Sequence, residues 1–178
     1  MERTEVVLDE PDGRHYEGGY LDGRYDGQGK LIYPDGCCYE GEFRNGCIEG
    51  QGRSTYPNGE YYEGGFHNDE FHGRGIYHYP NGDRLECEFE EDAPVGPGMV
   101  LFADGSRFEG EFSFQVYPDG HRGEISEKSG RGIFTDKGGN RHRAVWVFEW
   151  IFDDCTGTST VRKAAYFHHV CSLVLPPD

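Results

Sequence analysis

The 178-residue chain carries 33 acidic side chains against 17 basic ones, a net charge of −16, and so repels DNA, RNA and anionic lipid headgroups at long range. Its 28 glycines would suit a disordered tail, but aromatic residues reach 15%, and disordered chains are poor in them. Glycine with aromatics fits short strands joined by tight turns, and no apolar run approaches the roughly 18 residues that span a bilayer; the longest, residues 144–152, contains Glu149.

Internal repetition organises the chain. Residues 1–15 form a partial N-terminal repeat, in which residues 6–13 match the second half of the later units. The array of residues 16–112 then runs in units starting at Tyr16 (YEGGY), Tyr39 (YEGEF), Tyr62 (YEGGF), Leu85 (LECEF) and Phe108 (FEGEF), 23 residues apart. Their second halves end on Gly36, Gly59, Gly82 and Gly105, again 23 apart. Each unit predicts a β-hairpin. Tyr16, Gly18 and Tyr20 alternate with Glu17 and Gly19, the period of a strand. The stretch LDGRYDGQG is expected to turn the chain, residues 30–33 to form the second strand, and PDG or PNG to make the next turn, Pro setting φ and Gly accepting φ > 0. Gly18, Gly41, Gly64 and Gly110 fall mid-strand, where glycine normally weakens pairing. Their recurrence predicts an aromatic ring, from a neighbouring hairpin, packed close to the backbone.

After Phe112 the register slips. GRGIFTDKGG begins at Gly130 where the period predicts residue 119, so 11 residues are inserted within residues 113–129. Residues 130–152 form a degenerate last hairpin that ends in the strand AVWVFEWIF. Residues 153–178 form a C-terminal cap, in which 160–173 fits a strand or a short helix. The expected fold is therefore all-β, a single elongated antiparallel sheet of five to six stacked hairpins with a covered end.

Most chemistry-bearing motifs dissolve on inspection. GRYDGQGKL suggests a phosphate cradle, but Arg24 replaces the glycine that a P-loop needs and Leu31 follows Lys30 instead of Ser or Thr. The same loop recurs in later units, which a catalytic loop would not. Cys37, Cys38, Cys47, Cys87, Cys155 and Cys171 contain no C-x-x-C pair. With no signal-peptide pattern or N-x-[ST] sequon, they read as structural thiols of the reduced cytosol. The spacing of Cys155, His168, His169 and Cys171 matches no common zinc pattern. No catalytic signature occurs, so no catalytic, cofactor or metal residues are assigned.

Two kinds of column recur in register. Glu17, Glu40, Glu63, Glu86 and Glu109 would form a ridge: either an acidic rail for a basic partner, or a solvated face whose mutual repulsion is offset by local bases, N–H groups or a ligand. Tyr20, Phe43, Phe66, Phe89 and Phe112 are expected to pack inward. Tyr33, Tyr56, Tyr79 and Phe102 offer hydroxyls with apolar rings and are assigned to a partner-facing groove.

The unit YEGEF..G...GQG....YPDG resembles the membrane occupation and recognition nexus (MORN) repeat over about residues 5–139. The resemblance implies a sheet of stacked hairpins with a groove along one side, in scaffold proteins of membrane–cytoskeleton junctions and cilia. Such scaffolds hold a partner helix or extended peptide. APVGPGMVLFADG, residues 93–105, is similar to a unit of radial spoke head proteins of motile cilia. The expectation is a non-enzymatic scaffold of the cytoplasm, in a ciliary axoneme or cytoskeletal assembly. Its partner would be a basic protein segment, within a larger complex and compatible with a homodimer, with nucleic acid and membrane disfavoured by charge. The family leaves two alternatives: a phosphoinositide-binding module, and a regulatory array of an enzyme acting in trans.

Overall fold

The computed structural model of the chain describes residues 2–114, 126–153 and 160–166, with side chains over 2–112 and 131–144. Every described element is a strand. In chain order they are β1 (Thr4–Asp9), β2 (His15–Leu21), β3 (Arg24–Ile32), β4 (Cys38–Arg44), β5 (Cys47–Thr55), β6 (Tyr61–His67) and β7 (Glu70–His78). There follow β8 (Arg84–Glu90), β9 (Ala93–Leu101), β10 (Arg107–Phe114), β11 (Ser126–Thr135), β12 (Arg141–Asp153) and β13 (Thr160–Tyr166). They form one antiparallel sheet in which sequence neighbours are sheet neighbours, β1 to β13. The chain divides into two compact units, Met1–Pro80 with Phe89–Asp92, and Asn81–Glu88 with Ala93–Asp178.

The structure decides one alternative that the sequence leaves open and corrects the sequence reading at two places. The segment that could be helix or strand is a strand over Thr160–Tyr166, paired to β12; the rest of residues 160–173 lies outside the described residues. Residues 144–152 belong to β12 and so are not the last strand. Within each hairpin the first turn is also far shorter than LDGRYDGQG. It is two residues, Asp22–Gly23, Asn45–Gly46, Asn68–Asp69 and Glu91–Asp92, all at positive φ, as a tight hairpin turn requires. The GQG residues join nine-residue second strands, and the two surplus residues are absorbed by a bulge opposite Gly18–Tyr20.

The second turn is a type I turn closed by a left-handed glycine. In the first unit Tyr33 N–H donates to Cys37 O, Gly36 N–H to Tyr33 O, and Cys37 N–H to Asp35 Oδ1; Gly36 has φ 89°, which a side chain at that position would strain.

One column that the sequence did not single out forms the heart of the packing: Tyr16, Tyr39, Tyr62, Leu85 and Phe108, each at most 2% exposed. Tyr16 lies flat over the glycine row of its own hairpin. A Cβ at Gly29 would sit 2.6 Å from its hydroxyl, and that hydroxyl donates to Gly19 O at 2.7 Å. Tyr39 and Tyr62 repeat the arrangement over Gly52 and Gly75, donating to Glu42 O and Gly65 O. The expected ring over the glycines is present, then, but comes from the same hairpin. Phe43 and Phe66 are buried as expected, while Tyr20 is half-buried. Tyr16 meets Phe43 edge-on at 5.2 Å, Tyr39 meets Phe66 at 5.0 Å and Tyr62 meets Phe89 at 5.1 Å, the T-shaped geometry that ring quadrupoles favour.

In the first unit the two-residue turns latch each hairpin to the one before. Gly46 N–H donates to Tyr25 O, Asp69 N–H to Ile48 O and Asp92 N–H to Phe71 O. Asp69 and Asp92 add a carboxylate, accepting from Ile48 N–H at 2.7 Å and Phe71 N–H at 2.8 Å.

Candidate functional site

Strand alternation puts the buried rings on one face and the Glu column on the other. Cross-strand register on that Glu face runs Val7, Glu17, Lys30, Glu40, Arg53, Glu63, Ile76 across β1 to β7. Glu17, Glu40 and Glu63 are therefore not adjacent like charges, because Lys30 and Arg53 stand between them. Lys30 Nζ lies 2.6 Å from Glu40 and Arg53 Nη1 3.1 Å from Glu63. The Glu40 carboxylate holds the Lys30 ammonium above the usual lysine range. In the second unit Glu109 faces Met99 and Ile133 across the strands and pairs instead with Arg107, at 3.0 Å. Glu86 is likewise exposed.

His15 closes one end of this row. Its Nδ1 lies 2.6 Å from Asp9 and its Nε2 3.1 Å from Glu17. Carboxylates only accept, so both ring nitrogens must carry protons, and the geometry specifies an imidazolium. The bond to Asp9, then that to Glu17, raises the His15 pKa above its ordinary value.

Beside the charged row runs an open trough of about 850 Å³. Its floor is the backbone of Gly18, Gly29, Gly41 and Gly52, the row against which Tyr16 and Tyr39 press from the opposite face. Glu17, Lys30 and Glu40 form one wall, Gln28 and Gln51 line the other, and Glu5 and Val7 stand at the β1 end. Sequence reasoning named the two glutamates and missed the glutamines. The parity of Gln28 and Lys30, two residues apart in one strand, was the available signal.

Tyr33, Tyr56, Tyr79 and Phe102 lie on the ring face, so the structure does not bring them into one groove with the Glu column. The reason is parity: Tyr33 is an odd number of residues beyond Lys30, which faces Glu17. All four are half-buried at the start of a turn. Tyr56 and Tyr79 pack on buried Tyr77, at 6.5 and 5.0 Å between ring centres, and Phe102 on Phe134 at 6.0 Å. Burial pushes the Tyr33 phenol up to about 12. Tyr77 donates to Glu60 at 2.8 Å, within the same layer.

Among the described residues no cluster of three or more His, Cys, Asp or Glu side chains is placed to hold a metal. Cys155, His168, His169 and Cys171 lie outside them. Cys37, Cys38, Cys47 and Cys87 form no disulfide. No helix among the described residues is long and apolar enough to cross a membrane.

A search of curated proteins gave no match. Among solved structures the chain is similar to the TCP domain of SAS-4 (dCPAP) of Drosophila melanogaster, in complex with a proline rich motif of Ana2 (dSTIL). The identity is 12%, the TM-score 0.35, and the similarity covers 91% of this chain and 90% of that one. The MORN repeat model matches residues 16–38, 39–61, 62–84 and 88–107. The last match starts late where the unit departs from the others: Cys87 replaces the glycine and Leu85 the tyrosine, so no tyrosine ring needs the bare backbone. MORN repeats are generally non-catalytic protein or membrane interaction modules. With half its residues in four such repeats, the chain belongs to the MORN repeat family.

Proposed function

We propose that the chain is a non-enzymatic scaffold that holds an extended, basic segment of a protein partner in the trough on the Glu face. The observation that carries this reading is the trough's shape. Its two walls lie two residues apart along the strand direction, as Gln28 and Lys30 do on β3, about 6.7 Å. A helix is about 10 Å across and cannot seat between them, whereas an extended chain can. Five strands, β1 to β5, give a length of about 19 Å, room for about six extended residues. The floor's backbone groups are committed to the sheet ladder, which leaves the Gln28 and Gln51 amides to meet a peptide backbone. Glu5, Glu17 and Glu40 outnumber Lys30, and residues 16–112 carry 20 acids against 7 bases, which favours a basic occupant.

The test is fluorescence anisotropy with a labelled nine-residue Lys-Ser-Gly repeat peptide and the full chain. Glu17→Gln with Glu40→Gln weakens binding about tenfold at low salt, two charge-assisted contacts being lost. Gln28→Trp with Gln51→Trp obstructs the trough without changing charge; wild-type binding by that variant rules the trough out. We place the scaffold in a ciliary or cytoskeletal assembly of the cytoplasm on the similarity of residues 93–105 to a radial spoke head unit. Imaging of the tagged chain in ciliated cells tests this, and absence from both axoneme and cytoskeleton overturns it.

A further inference from the structure

The trough contains its own cation. Lys30 is the single basic side chain among the residues that line it. The register places Lys30 directly between Glu17 on β2 and Glu40 on β4, and its ammonium lies on the Glu40 carboxylate at 2.6 Å. A lysine or arginine brought by a partner would seek those same two carboxylates. We infer that Lys30 is an internal competitor, a specificity-determining residue that occupies the acidic subsite until a partner's cation displaces it. This inference rests on the trough being the partner site.

Three observations support the assignment. The Lys30 and Glu40 side chains are 43% and 55% exposed, so an incoming group can reach the pair. Exposed ion pairs of this kind are weak and exchange readily. The chain itself also shows that the position does not need a base to pair its strands: on the same row, opposite Glu63 and Glu109, stand Ile76, Met99 and Ile133.

The consequence is opposite to that of most contact-residue substitutions, since removal of Lys30 strengthens binding. The probe is the same Lys-Ser-Gly peptide, titrated against the full chain carrying Lys30→Met or Lys30→Gln. Arg24→Met serves as the control, because it removes one positive charge from the same unit outside the trough. Lys30→Met and Lys30→Gln each tighten binding about fivefold, the scale of one exposed ion pair, and Arg24→Met by less than half of that. Equal tightening by the Lys30 and Arg24 variants overturns the inference, because net charge would then account for the effect. If the Gln28→Trp, Gln51→Trp variant still blocks binding in that case, the trough reading stands and only Lys30 loses its role. If that variant does not block, both fall.

Discussion

Gly41 and Tyr39 offer a direct test of what builds the repeat. In the fourth unit their places are taken by Cys87 and Leu85. A Cβ added at Gly41 would lie 2.6 Å from Gly52 Cα and 2.7 Å from Gln51 O, and would strike the Tyr39 phenol. Gly41→Ala therefore displaces a ring that is 1% exposed and breaks its hydrogen bond to Glu42 O. Overpacking costs about 1–3 kcal/mol and the lost bond about 1 kcal/mol, so the single change destabilises by about 3 kcal/mol. For a chain of this size that is a fall in Tm of roughly 6–12 °C. Tyr39→Leu alone gives up edge contacts with Phe43 and Phe66 at 5.1 and 5.0 Å as well as the hydroxyl bond, about 2 kcal/mol together. The double variant approximates the Leu85–Cys87 pair of the fourth unit, with Ala in place of Cys. Its cost is about 3 kcal/mol instead of the additive 5, a coupling of about 2 kcal/mol. Urea unfolding of the wild type, both singles and the double measures the cycle. Additivity within about 0.5 kcal/mol would refute the claim that the glycine exists to admit the tyrosine ring.

Asp69→Ala strips the acceptor from Ile48 N–H in a residue only 6% exposed and destabilises by about 1–3 kcal/mol; hydrogen exchange at the Ile48 amide reports it, and Asp69→Asn retains most protection. Glu91 sits at φ 49°, where a side chain other than Asn or Asp is disfavoured, so Glu91→Gly stabilises by about 1 kcal/mol in thermal unfolding. His15 titrates above its ordinary value of 6.5. Its contribution to stability is therefore full below pH 6.5 and lost as pH rises through the folded value. An NMR titration shows a midpoint above 6.5, and Asp9→Asn lowers it.

The hairpin period and the glycine-closed second turns were legible because each rests on local rules: a 23-residue spacing, Pro and Gly at fixed offsets. The first turn is shorter than its sequence suggests because the GQG glycines, which have the composition of a loop, belong to the second strand. Gly27 forms the bulge at φ 101° and Gly29 is extended strand under Tyr16, a distinction that only the tertiary contact makes. The Phe column was readable from apolarity, but the more deeply buried Tyr16 column was not, since a tyrosine at a strand start carries no signal that its ring will fold back over two glycines. The Glu and Tyr columns each recur in register, yet assigning both to one groove overlooks the parity that follows once Lys30 is paired with Glu17.

Comparison of the units within this one chain separates what holds the sheet from what is free to act. On the ring face the loss of the tyrosine in the fourth unit comes with a side chain in place of the glycine, Leu85 with Cys87, so identity there follows packing. On the Glu face the cross-strand partners drift from Lys30 and Arg53 to Ile76, Met99 and Ile133, while Glu17, Glu40, Glu63, Glu86 and Glu109 stay. If ion pairing across strands were the reason for the glutamates, they would disappear with the bases. Glu109 persists between two apolar side chains and pairs along its own strand with Arg107, an exposed contact worth at most about 1 kcal/mol. Neither packing nor the cross-strand ladder accounts for a carboxylate there, so a solvated face or the recognition of a basic partner proposed above is the role open to these residues.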